Sequence, residues 1–363
     1  MPNSVQAVTL SIGLACLSTA CATSGARLPT DPDVARVRVS VLARSQVWTP
    51  TRIRQLDVKA GPPGRGAYPF GATVTCSHVD THLGGRSPKF ICRTADNDSI
   101  KVKFGADNGE VFGEVLATRL LWALGFGADR MYPVRVICHG CPPVLGGIEG
   151  PAGDRRFDPA VIERPMAGHA WEPAGTDGWA WNELNVVNPK LGGATLAQRD
   201  ALKLLAVFLQ HTDSKPEQQR MLCRGDGRPS DARTCRQPFL MISDLGLTFG
   251  RANAMNANET GGANLAGWRG TRVWKDDTGC TGNLPRSLTG SLDDPVISEE
   301  GRRFLADLLG QLSDRQLSDL FEVARVTLRP RSPADQSSGH PTVSEWVEAF
   351  KEKRAEIATR HCR

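Results

Sequence analysis

Long apolar runs are scarce in this chain of 363 residues. After a stretch from about Val5 to Leu17, none approaches the 18 or more residues that a membrane-spanning helix needs. The mature chain is therefore expected to be soluble or tethered by a lipid. Net charge is also small, with 44 Lys and Arg against 39 Asp and Glu for a formal +5, and the basic clusters are short. Such a balance gives no electrostatic footprint for nucleic acid, and none is expected as a partner. There is no internal repeat, which excludes a solenoid. With 40% apolar and 23% charged residues, a collagen, a coiled coil and a wholly disordered chain are excluded too. What remains is a globular chain with enough residues for one large or two modest domains.

Cysteine, by contrast, is plentiful: ten residues, more than a reduced cytosolic enzyme usually carries. The N-terminus suggests why. Residues 1–22 combine the apolar stretch with an Ala20-Cys21-Ala22 site of A-x-A type, and no acid or base precedes Arg27. This is the pattern of a secretory signal peptide that lacks its usual positive n-region. Ser18-Thr19-Ala20-Cys21 also approximates a lipobox, in which case Cys21 carries a lipid and that anchor is the one link to a membrane. A frayed cytosolic N-terminus is the alternative. Export to a periplasm, an outer membrane or the exterior is the expected localisation.

Removing that segment leaves eight cysteines: Cys76, Cys92, Cys138, Cys141, Cys223, Cys235, Cys280 and Cys362. In an exported chain an even number reads as a disulfide framework, although eight cysteines allow 105 pairings. Sequence neighbours make Cys76-Cys92, Cys138-Cys141 and Cys223-Cys235 the natural pairs, and Cys280-Cys362 then remains. A zinc site on Cys138-His139-Gly140-Cys141 is the rival, but no second ligand pair stands at suitable spacing.

Residues 23–66 are rich in Arg, Pro and Gly and read as a partly ordered leader, with Val37-Arg38-Val39-Ser40-Val41 alternating like an edge strand. Three β-type runs follow, Ala72 to Val79, Lys89 to Arg93 and Ser99 to Phe104, the first two joined by a turn containing Gly84 and Gly85. Val111, Val115, Leu116, Leu120 and Leu124 then recur at helical spacing up to Gly125, and Tyr132 to Ile137 returns to strand composition. Strands clustered about one helix predict an antiparallel α+β unit over residues 67–141. From 142 to 363 helices dominate. Capping boxes open at Thr195, Ser313 and Thr342, and short β-like runs lie near Met221 and at Phe239 to Ile242. Residues 251–296 look like a long loop region and 329–341 like a linker.

Two segments of this second part carry chemistry. The chain reads His211-Thr212-Asp213-Ser214-Lys215-Pro216-Glu217-Gln218 on leaving a helix, and then Ser243-Asp244-Leu245-Gly246 after a short strand. Together they resemble the H-R-D-x-K-x-x-N loop and the D-F-G of protein kinases. The resemblance calls for an earlier lysine on a strand and a glutamate on the next helix. Lys103 and Glu114 meet that order, with Lys101 and Glu110 as competitors, and the segment Glu114 to Gly125 looks like the corresponding helix of HipA-type bacterial kinases.

The resemblance implies a two-lobed kinase-like α+β fold that binds ATP and Mg²⁺. Lys103, oriented by Glu114, would meet phosphate oxygens, and Asp244 would hold Mg²⁺ with Gln218 as second ligand. Asp213 would align an acceptor hydroxyl and take its proton, Lys215 would face the transferring group, and the amides of Gly84 and Gly85 would cover the phosphates. Two departures stand out. Gln218 occupies the place of an Asn, and the first hairpin lacks G-x-G-x-x-G, as atypical HipA-type and secretory-pathway kinases also do. His211 is expected to be a packed histidine, and Trp122, Trp179, Trp181, Trp268 and Trp274 core or interface anchors. The expected function is phosphoryl transfer from ATP to a hydroxyl of a protein or small molecule. The alternatives are an exported pseudokinase that binds a nucleotide or a partner without turnover, and a nucleotidyl transferase using the same residues.

Overall fold

Asp31 accepts a hydrogen bond from Asp33 N–H and Pro32 stands at the first helical position, so the computed structural model opens with helix α1, Pro32–Ala43. The structure describes residues 31–173, 175–225, 235–251, 254–255, 262–331 and 339–362; the expected signal segment, with Cys16 and Cys21, lies outside them. The edge strand expected at Val37 to Val41 is part of α1 instead. Its β-branched alternation is overridden by burial of Arg38, Val41 and Leu42 on one side of a helix. Residues 31–66, expected to be partly ordered, also contribute Val47, Ile53 and Val58 to the larger core.

Strict alternation builds the next elements, β1 Thr73–Val79, β2 Lys89–Thr94 and β3 Ser99–Phe104, which pair antiparallel in that order. Helix α2, Glu110–Leu124, leads to strand β4, Arg130–Cys141. The small hairpin β5 Val144–Leu145 and β6 Ile148–Glu149 follows, and then β7 Gly153–Arg164. These strands close into a barrel of order β1-β2-β3-β7-β4, with β1 and β4 parallel. The sheet thus runs on to Arg164, past the Cys141 boundary expected from composition, because β7 is needed to pair both β3 and β4. Closure leaves no unpaired edge. The barrel encloses Phe90, Ile100, Val102, Val136, Phe157 and Ile162, and it contains the disulfides Cys76–Cys92 and Cys138–Cys141.

Apart from Trp122, every residue of α2 is buried, the charged Glu110, Glu114 and Arg119 included. It packs into the larger core rather than inside the barrel, and Gly125 ends it in the left-handed conformation at φ 89°. Beyond β8 His169–Ala170 come α3 Leu196–Leu209, β9 Gln219–Cys223 and β10 Pro238–Ile242, the strands forming a sheet of order β10-β9-β8. The expected loop region carries a short α4, Leu265–Gly270. Then follow α5 Glu299–Gly310, α6 Asp314–Val323 and α7 Val343–Thr359, and capping boxes at Thr195, Ser313 and Thr342 open α3, α6 and α7.

Trp179, Trp181, Trp268 and Trp346 are fully enclosed in this part. Cys223–Cys235 and Cys280–Cys362 complete four disulfides, which fit an oxidising environment. No helix among the described residues is long and apolar enough to cross a membrane.

Candidate active site

Ile100 and Val102 point into the barrel, so the two-residue period of β3 places Lys101 and Lys103 on its outer face. There α2 covers Lys103, which is 1% exposed. Its Nζ donates to Glu110 Oε2 at 2.9 Å and, more closely, to Glu114 Oε1. Lys101 pairs instead with Glu163 of β7 at 2.6 Å. The structure therefore brings Lys103, and not Lys101, to the helix acids, and it brings both glutamates rather than Glu114 alone. One helical turn separates the two, which is why a single ammonium reaches both.

Asp244 follows β10 and places Oδ1 3.9 Å from Lys103 Nζ, where it also accepts from Gly246 N–H at 3.1 Å. Glu110, Glu114 and Asp244 present carboxylate oxygens that all lie within 4.8 Å of one another. Burial pushes the Glu114 carboxyl well above its ordinary range, against the pull of Lys103. At Asp244 burial pushes the same way, but Lys103 and the Gly246 amide outweigh it and hold the carboxyl well below the carboxylate range. Burial likewise favours neutral Lys103, yet Asp244, Glu114 and Glu110 together keep it protonated. Glu114 Oε2, fully buried, accepts no hydrogen bond among the described residues.

Gln210 ends α3 at a positive φ of 55°, and the chain turns through His211 into the Asp213 loop. Asp213 is 9% exposed. Its Oδ2 accepts from Gln218 Nε2 at 2.8 Å and lies 3.3 Å from Lys215 Nζ. Burial raises this carboxyl above its ordinary range, with Lys215 and Gln218 opposing. The backbone carbonyl of Gln218 accepts from Ser243 N–H at 2.7 Å and from Asp244 N–H at 3.3 Å, so one residue stitches the two acidic loops together. His211 packs 6.2 Å from the Trp181 ring, and burial pushes its imidazole down to about 4.

Gly84 and Gly85 lie in the loop between β1 and β2. Space around Gly84 is open, whereas a Cβ on Gly85 (φ +88°) would stand 2.7 Å from Lys89 Nζ. Lys89 pairs across the sheet with Lys103, and its ammonium is pushed down first by burial and then by Lys103. No motif in the sequence singles out Lys89. Its position at the foot of the glycine-bearing hairpin, opposite the selected lysine, is the signal that could have found it.

Oxygen donors alone make up the acidic cluster, as a hard divalent cation such as Mg²⁺ prefers. Gln218 commits its amide nitrogen to Asp213, which leaves its carbonyl oxygen as the atom a metal would use.

No family model matches the chain, and no curated protein does. Among solved structures, the chain is similar to the crystal structure of a Helicobacter pylori proinflammatory kinase, CtkA, at 12% sequence identity. That similarity covers 77% of this chain and 90% of that chain, with a TM-score of 0.37. A likeness of this degree carries no argument about activity, so the functional reading rests on the residues themselves.

Proposed function

We propose that the chain is a kinase-like phosphotransferase that moves the γ-phosphate of ATP to a hydroxyl acceptor. The observation that carries this reading is the buried Lys103 ammonium, shared by Glu110, Glu114 and Asp244 and joined through Gln218 to the Asp213 loop. Phosphoryl transfer asks little covalent chemistry of a protein and much positioned charge. In this reading Lys103, held by Glu114, meets phosphate oxygens, and Lys89 with the amides of Gly84 and Gly85 closes over them. Asp244 would hold Mg²⁺ with the Gln218 side-chain carbonyl oxygen or Glu110. Bound Mg²⁺ would neutralise phosphate charge. Asp213 orients the acceptor hydroxyl and takes its proton as the new O–P bond forms and the bond to the β-phosphate oxygen breaks; Lys215 faces the group in transit.

Two observations favour binding without turnover as the second reading. Gln218 stands where the motif has Asn, with its amide nitrogen given to Asp213, and the four disulfides suit a compartment where ATP is scarce. The test of both is incubation of the purified mature protein with γ-labelled ATP, Mg²⁺ and hydroxyl acceptors, beside an Asp244→Ala variant. Transfer by the wild type alone supports the phosphotransferase. Equal label on both, or none on either, defeats it, and saturable ATP binding without transfer then supports the second reading. Mass spectrometry of the product separates added phosphate from added AMP.

A further inference from the structure

Residues 31–60 form a strap over the elements that carry the site. Trp48 Nε1 donates to Leu124 O at 2.7 Å, Thr49 N–H to Gly125 O at 2.9 Å and Thr51 Oγ1 to Ala123 O at 2.5 Å, which caps the C-terminal end of the Glu110 and Glu114 helix. At the other end of the strap stands Arg38 on α1, 2% exposed. Its guanidinium donates to both carboxylate oxygens of Glu183, at 3.0 and 2.9 Å, and to Gly178 O at 2.9 Å. A guanidinium so deeply enclosed cannot exchange these partners for water without exposing the core around it, so losing it leaves Glu183 without its counter-ion.

The segment that Arg38 grips is pressed against the Asp213 loop. Gly178 has φ +55°, and a Cβ there would lie 2.0 Å from Pro216 O and 2.1 Å from Gln219 O, the neighbours of Glu217 and Gln218. Trp181 N–H donates to Ser291 Oγ at 3.2 Å, which in turn donates to Ser214 O at 2.8 Å. Trp179 Nε1 donates to Met241 O at 3.2 Å, three residues before Asp244. Arg38 thus reaches the loop through residues 178–183.

We infer that Arg38 is a positioning residue for the Asp213–Gln218 loop, and that the N-terminal helix is a working part of the site. The inference rests on the phosphotransfer reading of that loop. Arg38→Ala should lower kcat on the order of tenfold to a hundredfold, the scale of a slightly misplaced reacting group. ATP affinity should stay within about twofold of the wild type, because α2 and β3 still hold Lys103. Arg38→Lys, which keeps the charge, should recover part of the rate.

Amide hydrogen exchange supplies a second readout that needs no turnover: Arg38→Ala should speed exchange at 211–219 and leave α7 unchanged. A kcat like that of the wild type overturns the inference. So does a parallel loss of kcat and ATP affinity with faster exchange throughout. If the wild type itself transfers no phosphate, the phosphotransfer reading fails separately. Exchange then decides the coupling: a rise confined to 211–219 upholds it and no rise overturns it. Should Arg38→Ala not fold, Arg38→Lys and Glu183→Gln are measured in the same way.

Discussion

Gln218 Nε2 donates to Asp213 Oδ2 at 2.8 Å. Asp213 must be ionised to accept a proton, and burial has already raised its carboxyl, so activity should be present above its folded value and lost as pH falls through it. Gln218→Ala removes one of the groups that oppose burial. The acid limb of kcat/KM against pH should therefore move to higher pH in this variant. An unmoved limb would mean that Asp213 is not the base.

Lys103 is the shared counter-ion of Glu110, Glu114 and Asp244. Lys103→Met should destabilise the fold by about 3–5 kcal/mol, the usual cost of leaving a buried partner uncompensated. The double variant Lys103→Met with Glu114→Leu should be more stable than Lys103→Met alone. Urea denaturation reads both; equal stability of Lys103→Met and wild type would show that the acids are compensated otherwise.

His211 is buried and its imidazole is pushed down to about 4 by burial, with Asp244 opposing weakly. The unfolded chain, with an ordinary value near 6.5, binds a proton that the folded chain refuses between these two values. The His211 contribution is therefore fully present above about pH 6.5 and is lost as pH falls towards 4, by about 3 kcal/mol. Asp129 acts in the opposite sense, because burial and Glu163 raise its carboxyl to about 7 and the folded chain takes up its proton first. The difference in stability between wild type and His211→Phe, followed from pH 7.5 to 4.5, isolates the histidine. A difference that is flat with pH would show that His211 titrates normally.

Cys280–Cys362 joins residues 82 positions apart and ties the long loop region to the chain end after α7. Replacing both with Ser should lower stability by about 4 kcal/mol, more than the about 3 kcal/mol expected for the shorter loop of Cys223–Cys235. Peptide mapping without reduction should recover the four cross-linked pairs. Free thiols at these positions would remove both the framework and the argument for an oxidising compartment.

Much of this architecture was legible where the cause is local. The capping boxes at Thr195, Ser313 and Thr342 each satisfy helix amides within three residues, so their helices could be placed from spacing alone. Alternation located β1, β2 and β3 because one side of each faces the barrel interior. Where the cause is remote, local pattern does not show it. The Val37 to Val41 run alternates like a strand, and nothing near it shows that Arg38 will be buried against Glu183, 145 residues away. Closure of the barrel depends on β7 pairing with β3 and β4, which composition placed in a helical region.

The linear chain carries the set of charged residues and their order: a strand lysine, a helix glutamate, the Asp213 loop and Asp244. It also determines which cysteines are neighbours. Folding alone buries Lys103 rather than Lys101, adds Glu110 to Glu114, and sets Arg38 of the N-terminal helix against Gly178 and Glu183. The reason is physical. Residue type and spacing express local preferences, whereas burial, shared counter-ions and contacts across 145 residues exist only once the chain has closed on itself.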